Sequence, residues 1–197
     1  MAVLSCSDKD DEPYPALITE LVMASADAQC VFNTFTTDDG RTFSISNTIK
    51  GPTPNVCWRF LCGYVKESEE QARIYVLQRV LVLSDYSSLR QLSHDPTGFV
   101  SIWKAGGFIN LHLLPKTQGG QQAWGFSCDS AHVNDAGGTN HYLSIVHFQL
   151  KDPTAYSDDA YFSLDLDSVA AVRQPVDSLI LRVRTFDGWR SWTFNAQ

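Results

Sequence analysis

The sequence predicts an all-β protein: a single-domain antiparallel β-sandwich of jelly-roll type, with a closed lipocalin-like barrel as the alternative and one short N-terminal helix. Three observations carry this. Runs of β-branched and aromatic residues recur along the chain, separated by turn-forming residues roughly every ten positions. Pairs such as Asp187-Gly188 and Gly106-Gly107 stand between such runs, as two-residue hairpin turns require. In both of those hairpins an aliphatic face alternates with an aromatic and polar one.

Residues 1–13 are polar, acidic and end in Pro13, and read as a disordered tail; residues 14–197 form the domain. Pro15 suits the first turn of a helix over Ala16 to Ala26, with Leu17, Leu21 and Ala24 on one stripe; a strand through Leu17–Val22 is the rival reading. Val31–Thr37 and Arg41–Thr48 flank a turn at Asp38-Asp39-Gly40. Val56–Val65 follows, with Val56, Trp58, Phe60, Cys62 and Tyr64 on one face. Ala72–Leu83 is apolar on both faces, and its Ile74, Val76, Val80 and Val82 favour a central strand. Ser84–Pro96 reads as a polar loop.

Phe99–Lys104 and Phe108–Leu114 pair around Gly106-Gly107, so that Lys104 faces Ile109, Trp103 faces Asn110 and Ser101 faces His112. Val100, Ile102, Ile109, Leu111 and Leu113 then form a core face, backed by Phe99, Ser101, Trp103, Phe108, Asn110, His112 and Leu114. Gln121–Cys128 is a strand, Asp129–Asn140 a loop rich in Asp, Asn and Gly, and His141–Leu150 a central strand. Tyr161–Asp167 alternates with Phe162, Leu164 and Leu166 inward, and Ser168–Gln174 reads as a helical turn. In the last hairpin an Asp187-Gly188 turn sets Phe186 against Trp189, Arg184 against Ser191 and Val183 against Trp192. Leu179, Leu181, Val183, Trp192 and Phe194 face the core; Arg182, Arg184, Phe186, Trp189, Ser191 and Thr193 face away.

The net charge of −7 argues against nucleic acid as a partner, and no apolar run is long enough for a membrane helix. The acidic N-terminus does not read as a secretory leader, and the five cysteines, an odd count without a CxxC pair, read as free thiols; together these predict a cytoplasmic protein. Phosphate loops, dinucleotide fingerprints, nucleophile elbows and zinc-ligand spacings are missing, so neither cofactor nor metal is expected. The Asp129–Asn140 loop offers oxygen ligands of the kind calcium takes, but without the EF-hand spacing, and a solvated turn is the simpler reading. His141 and His147 share a strand face but stand roughly 20 Å apart, too far for one site. The stretch Trp103–Phe108 resembles the Lys-Ala-Gly-x-Tyr signature of jelly-roll alginate lyases, yet Phe108 stands where the tyrosine would and the stretch lies mid-chain, so the resemblance assigns no role to any residue.

If the two aromatic-polar faces lie in one sheet, they make a wall of π surfaces, an imidazole, an amide and two guanidiniums. On that reading His112 and Arg184 are catalytic, and Trp103, Phe108, Asn110, Arg182, Phe186 and Trp189 bind substrate. The matching function is a cofactor-independent enzyme of small-molecule biosynthesis that promotes a cyclisation, cycloaddition or isomerisation by positioning and fixed donors. A glycan-binding, lectin-like β-sandwich is the alternative, and a structural or interaction protein the third. In the bland arrangement Asp165 and Asp167 sit cross-strand from Arg182 and Arg184 as ordinary ion pairs. The expected partner is a small-molecule ligand or substrate, and a homodimer is compatible with the sequence.

Overall fold

The computed structural model describes residues 16–133, 138–169 and 176–195. The tail over residues 1–13 and the helical turn from Ser168 fall wholly or largely outside them. The described residues are all-β and contain no helix. Strands β1 (Ile18–Ala26), β2 (Phe32–Thr37), β3 (Thr42–Ile45), β4 (Cys57–Lys66) and β5 (Gln71–Arg79) close into a barrel in the order β1-β2-β3-β5-β4. The chain then supplies β6 (Leu81–Val82), β7 (Ser84–Asp85), β8 (Gly98–Ala105), β9 (Phe108–Leu114), β10 (Lys116–Thr117), β11 (Ala123–Val133) and β12 (Thr139–Phe148). It ends with β13 (Tyr156–Ser157), β14 (Ala160–Asp165), β15 (Val176–Thr185) and β16 (Gly188–Asn195). These form a four-stranded sheet, β6-β14-β9-β8, a five-stranded sheet, β16-β15-β12-β11-β7, and the small pair β10-β13.

The arrangement is therefore a small closed barrel joined to packed sheets, in place of one jelly roll or one lipocalin-like barrel. Each part has its own core. Val22, Ala24, Phe35, Phe43, Phe60, Cys62 and Tyr64 fill the barrel. The two larger sheets close on Ile109, Leu111, Leu113, Phe126, Leu143, Leu164, Leu181 and Val183.

The expected N-terminal helix is strand β1. It pairs with β2 on one side and β4 on the other, and so closes the barrel. Buried Val22, Ala24 and Ala26 follow the two-residue period of a strand, and satisfaction on both edges overrides the helical stripe read locally. Ala72–Leu83 is not one central strand. The chain leaves the barrel at buried Val80, whose N–H donates to the Arg59 carbonyl, and continues as β6 in another sheet. β11 runs on to Val133 and β12 begins at Thr139, so the ends of the predicted Asp129–Asn140 loop are paired strand, while residues 134–137 lie outside the described residues. Among the described residues Cys30, Cys57, Cys62 and Cys128 are free thiols. Burial pushes the Cys62 thiol up to about 12, which makes it an inert core group.

Candidate functional site

Register decides which side chains meet. The Gly106-Gly107 turn has φ of +59° and +82°, as a primed turn needs, and Trp103 faces Asn110 as expected. A bulge between Phe99 and Ser101 reverses the two residues before it. Phe99 turns inward and stacks on Trp192 at 4.4 Å, while Val100 is exposed; both assignments from simple alternation are corrected. In the last hairpin the tip is Phe186-Asp187, followed by Gly188 at φ +118°. Thr185 faces Gly188 and Arg184 faces Trp189, a slide of two residues from the expected register. An even slide leaves every side chain on its expected face, so Leu179, Leu181 and Val183 are buried while Arg184, Phe186 and Trp189 are exposed.

The two hairpins lie in different sheets, whose aliphatic faces meet in a shared core. Their aromatic-polar faces point away from each other, so the single wall is not formed. The polar face of β8–β9 packs against the barrel. There Arg59 of β4, its side chain fully buried, makes a two-pronged ion pair with Asp38 at 2.5 and 2.7 Å. It also donates to Asn110 Oδ1 at 3.1 Å and Ser163 Oγ at 3.2 Å, and its guanidinium lies 4.2 Å from the Phe108 ring centroid. Asn110 is completely buried and Phe108 underlies the cation, which makes both parts of a joint between the two cores. His112, two residues along the same strand from Asn110, stacks on Tyr161 at 4.2 Å and meets the Asp159 carboxylate at 2.5 Å. Trp103 lines an open cleft of about 430 Å³ with Glu20, Asp38, Asp39 and Gly106.

The outer face of β15–β16 does bring candidates together. Two cations lie over the Trp189 ring, with the Arg182 and Arg184 guanidinium carbons at 5.0 and 5.8 Å from its centroid. His94 meets it edge-on at 5.2 Å. Arg182 is anchored from below: it pairs with Asp129 at 2.9 Å and donates to Ser144 Oγ, and Asp129 also accepts from the Ser127 and Ser144 hydroxyls. This corrects the Asp165–Arg182 pairing, because β14 lies beside β9 in the other sheet and Asp165 caps Asp167 and Ser168. It also commits Asp129, the first of the oxygen ligands read for calcium. Among the described residues no His, Cys, Asp and Glu converge as a metal centre. Arg184 pairs with no described carboxylate and stays exposed. Phe186, 53% exposed, and Trp189, 42% exposed, are large apolar groups left in solvent beside it.

The sequence reading did not single out Arg59, Asp38 or His94. A lone arginine inside an otherwise apolar strand was the available signal for the first, since such a charge must find a partner if buried. His94 carried no local signal; its segment is brought beside Trp189 by the parallel bridges His94–His147 and Thr97–Thr185.

No family model matches this chain, and no curated protein does. Among solved structures it is similar to a NigD-like immunity protein from Bacteroides caccae, with 24% identity, a TM-score of 0.68, and coverage of 92% of this chain and 93% of that one. It is also similar to a protein called toxin related from Parabacteroides distasonis, with 15% identity, a TM-score of 0.71 and coverage of 92% and 95%. A protein of unknown function from Bacteroides vulgatus gives 11% identity, a TM-score of 0.70 and coverage of 91% and 90%. At these identities the likeness shows a shared fold.

Proposed function

We propose that this protein is a non-catalytic interaction protein that docks a partner protein on the outer face of β15–β16. The observation that carries the reading is the exposed Trp189 with the Arg182 and Arg184 guanidiniums over its ring on the β15–β16 sheet face, and Phe186 at the hairpin tip. Tryptophan and arginine are the side chains that most often supply binding energy at protein interfaces, because each offers large area and few degrees of freedom per contact. The Asp129–Ser144 anchor fixes Arg182 in advance, which lowers the ordering cost on binding. The names of two proteins with this fold, an immunity protein and a toxin-related protein, agree with a role in partner recognition. An enzyme that works by holding reactive atoms together asks for an enclosed pocket. The Trp103 cleft is open, its carboxylates Asp38 and Asp39 are already paired with Arg59 and Arg41, and Glu20 already accepts from the Tyr64 hydroxyl.

The test places a photo-crosslinking residue at Phe186 and, in a second protein, at Tyr75 on the barrel surface, which is somewhat more exposed. A partner captured from position 186, absent from position 75, and lost when Arg184→Ala is added supports the reading. Arg184→Ala and Trp189→Ala should keep their melting temperatures to within the small change typical of surface substitutions, about 0.5 kcal/mol in stability. Equal capture from both positions, or capture indifferent to Arg184→Ala, assigns the function to another surface. Binding to a glycan array that depends on Trp189 would instead support the lectin-like reading.

A further inference from the structure

His147 ends the row of β12 side chains that face the sheet core. It is 1% exposed, and its ring stacks on Trp124 with centroids 3.7 Å apart and planes 11° apart. Both ring nitrogens meet an oxygen. Nδ1 lies 2.9 Å from the Asp95 carbonyl, which only accepts hydrogen bonds. Nε2 lies 2.9 Å from Gln122 Oε1. The orientation of that amide is set by its own neighbours. Gln122 Nε2 donates to the Lys116 carbonyl at 2.8 Å and to Asp152 Oδ2 at 2.7 Å, and both of these are acceptors. Turning the amide over would set its oxygen against two other oxygens. Asp152 stays ionised as well, because Thr117 Oγ1 and the backbone N–H groups of Gln118 and Gly120 also donate to it, and these bonds hold its pKa at about 2.

A neutral imidazole has one N–H and one lone pair. In this setting the lone pair would face an oxygen inside the protein, where an unmet polar contact is costly. An imidazolium donates to both oxygens, and its cationic face on the Trp124 indole is attractive. We propose that His147 is a buried imidazolium at neutral pH, linked to the Asp152 carboxylate through the Gln122 amide, and that its proton ties together the three segments that converge here. Those segments are residues 93–96, 116–122 and 149–152. The first carries the Asp95 carboxylate, which accepts from the Gln149 N–H at 2.7 Å, and the His94 imidazole, whose Nδ1 meets the Ile145 carbonyl. The others carry Asp152, half-buried Lys116 and exposed Lys151. Burial is the largest influence on the His147 pKa and pushes it below the ordinary value against the upward pull of the Asp95 carbonyl and carboxylate, so the case for the imidazolium rests on the two acceptors and the fixed Gln122 amide. The Gln122 oxygen, polarised by Asp152, adds to the upward pull.

A His147 protonated on both nitrogens at neutral pH would have a folded value above the ordinary histidine value of about 6.5, and its stabilisation would then be fully present below about 6.5 and lost as pH rises through the folded value. The experiment is a pH series of long-range proton–nitrogen spectra of the imidazoles in the uniformly labelled full chain. His147 is identified by its contact with Trp124 and by slow exchange of its ring protons. Both His147 nitrogens should resonate as protonated at pH 7, and the ring should titrate at least one pH unit above the ordinary histidine value of about 6.5, a tenfold difference in proton affinity. Gln122→Leu, which removes the amide oxygen, should weaken proton affinity tenfold or more, and Gln122→Glu should strengthen it. A bare His147 nitrogen at pH 7 in the unmodified protein overturns the proposal. So does a titration unchanged by Gln122→Leu; if that variant does not fold, the spectrum of the unmodified protein decides alone.

Discussion

Asp152 shows how one side chain can organise a loop. It is 5% exposed and collects hydrogen bonds from Thr117, Gln118, Gly120 and Gln122, four donors drawn from a single stretch of chain. A carboxylate so placed is better satisfied ionised than protonated, which is why its pKa falls to about 2 from an ordinary 3.8. The sign of the consequence follows. A lowered folded value gives stability that is present above the ordinary value and lost as pH falls towards about 2. Asp152→Asn should therefore lower the melting temperature at pH 7 and flatten its decline between about pH 4 and pH 2. Melting curves of both proteins across that range check this, and parallel acid limbs would assign the acid sensitivity to other carboxylates. Little of this was legible in the sequence. Asp152 sits in a Lys-Asp-Pro turn like many surface aspartates, and its donors lie 30 to 35 residues earlier in the chain.

At the scale of elements, the two glycine-tipped hairpins behave differently for a physical reason. The Gly106-Gly107 turn needs positive φ at both positions, and only glycine adopts that freely, so the turn and its register follow from two residues. The Gly188 hairpin places its one positive φ after the tip, and here Asp-Gly signals a turn without fixing which residues are central. The bulge at Val100 and the closure of the barrel by β1 depend on strands distant in sequence, so local periodicity misplaced Phe99 and read β1 as a helix. Even so, the face assignments of β4, β9, β15 and β16 held, because a two-residue period survives an even slide. The turn also supports a direct comparison. A Cβ on Gly107 would meet nothing within 4 Å, so Gly107→Ala should cost only left-handed strain, on the order of 1 kcal/mol. A Cβ on Gly106 would come within 2.6 Å of Asp38 Oδ1 and 2.9 Å of its Cα, so Gly106→Ala should cost clearly more. Denaturant titrations of the two variants measure the difference, and equal losses would mean that Asp38 moves aside without penalty.

Across the whole molecule, two hydrophobic cores are held against each other by a polar joint. Arg59 from the barrel, Asp38 from its β2–β3 turn, and Asn110 and Ser163 from the four-stranded sheet bond to one another with little access to water. Ser163 also donates to Asn110 Oδ1 at 2.7 Å, and Phe108 covers one face of the guanidinium. A buried ion pair of this kind contributes little net energy relative to a well-packed apolar contact, but breaking it by removing one partner is costly. Arg59→Met leaves Asp38 without its partner and takes donors away from Asn110 and Ser163, so it should destabilise by about 3–5 kcal/mol. The more telling expectation concerns cooperativity. Barrel and sheets should unfold together in the unmodified protein, because the joint spans both, and should separate once it is cut. Trp58 borders the barrel core and Trp124 lies in the sheet core, so variants retaining one of these tryptophans report each half separately. Their fluorescence transitions in urea should coincide when Arg59 is present. With Arg59→Met they should part, one half losing structure at lower urea than the other, which is the usual sign that a single two-state transition no longer describes the chain. Coincident transitions in the variant would mean that the chain crossings at Val80 and at the β8–β9 face couple the halves without the arginine. Adding Asp38→Asn tests the pair itself: if the charge on Asp38 is what makes Arg59→Met costly, the double variant should recover part of the loss, as the energetics of a stranded buried charge require.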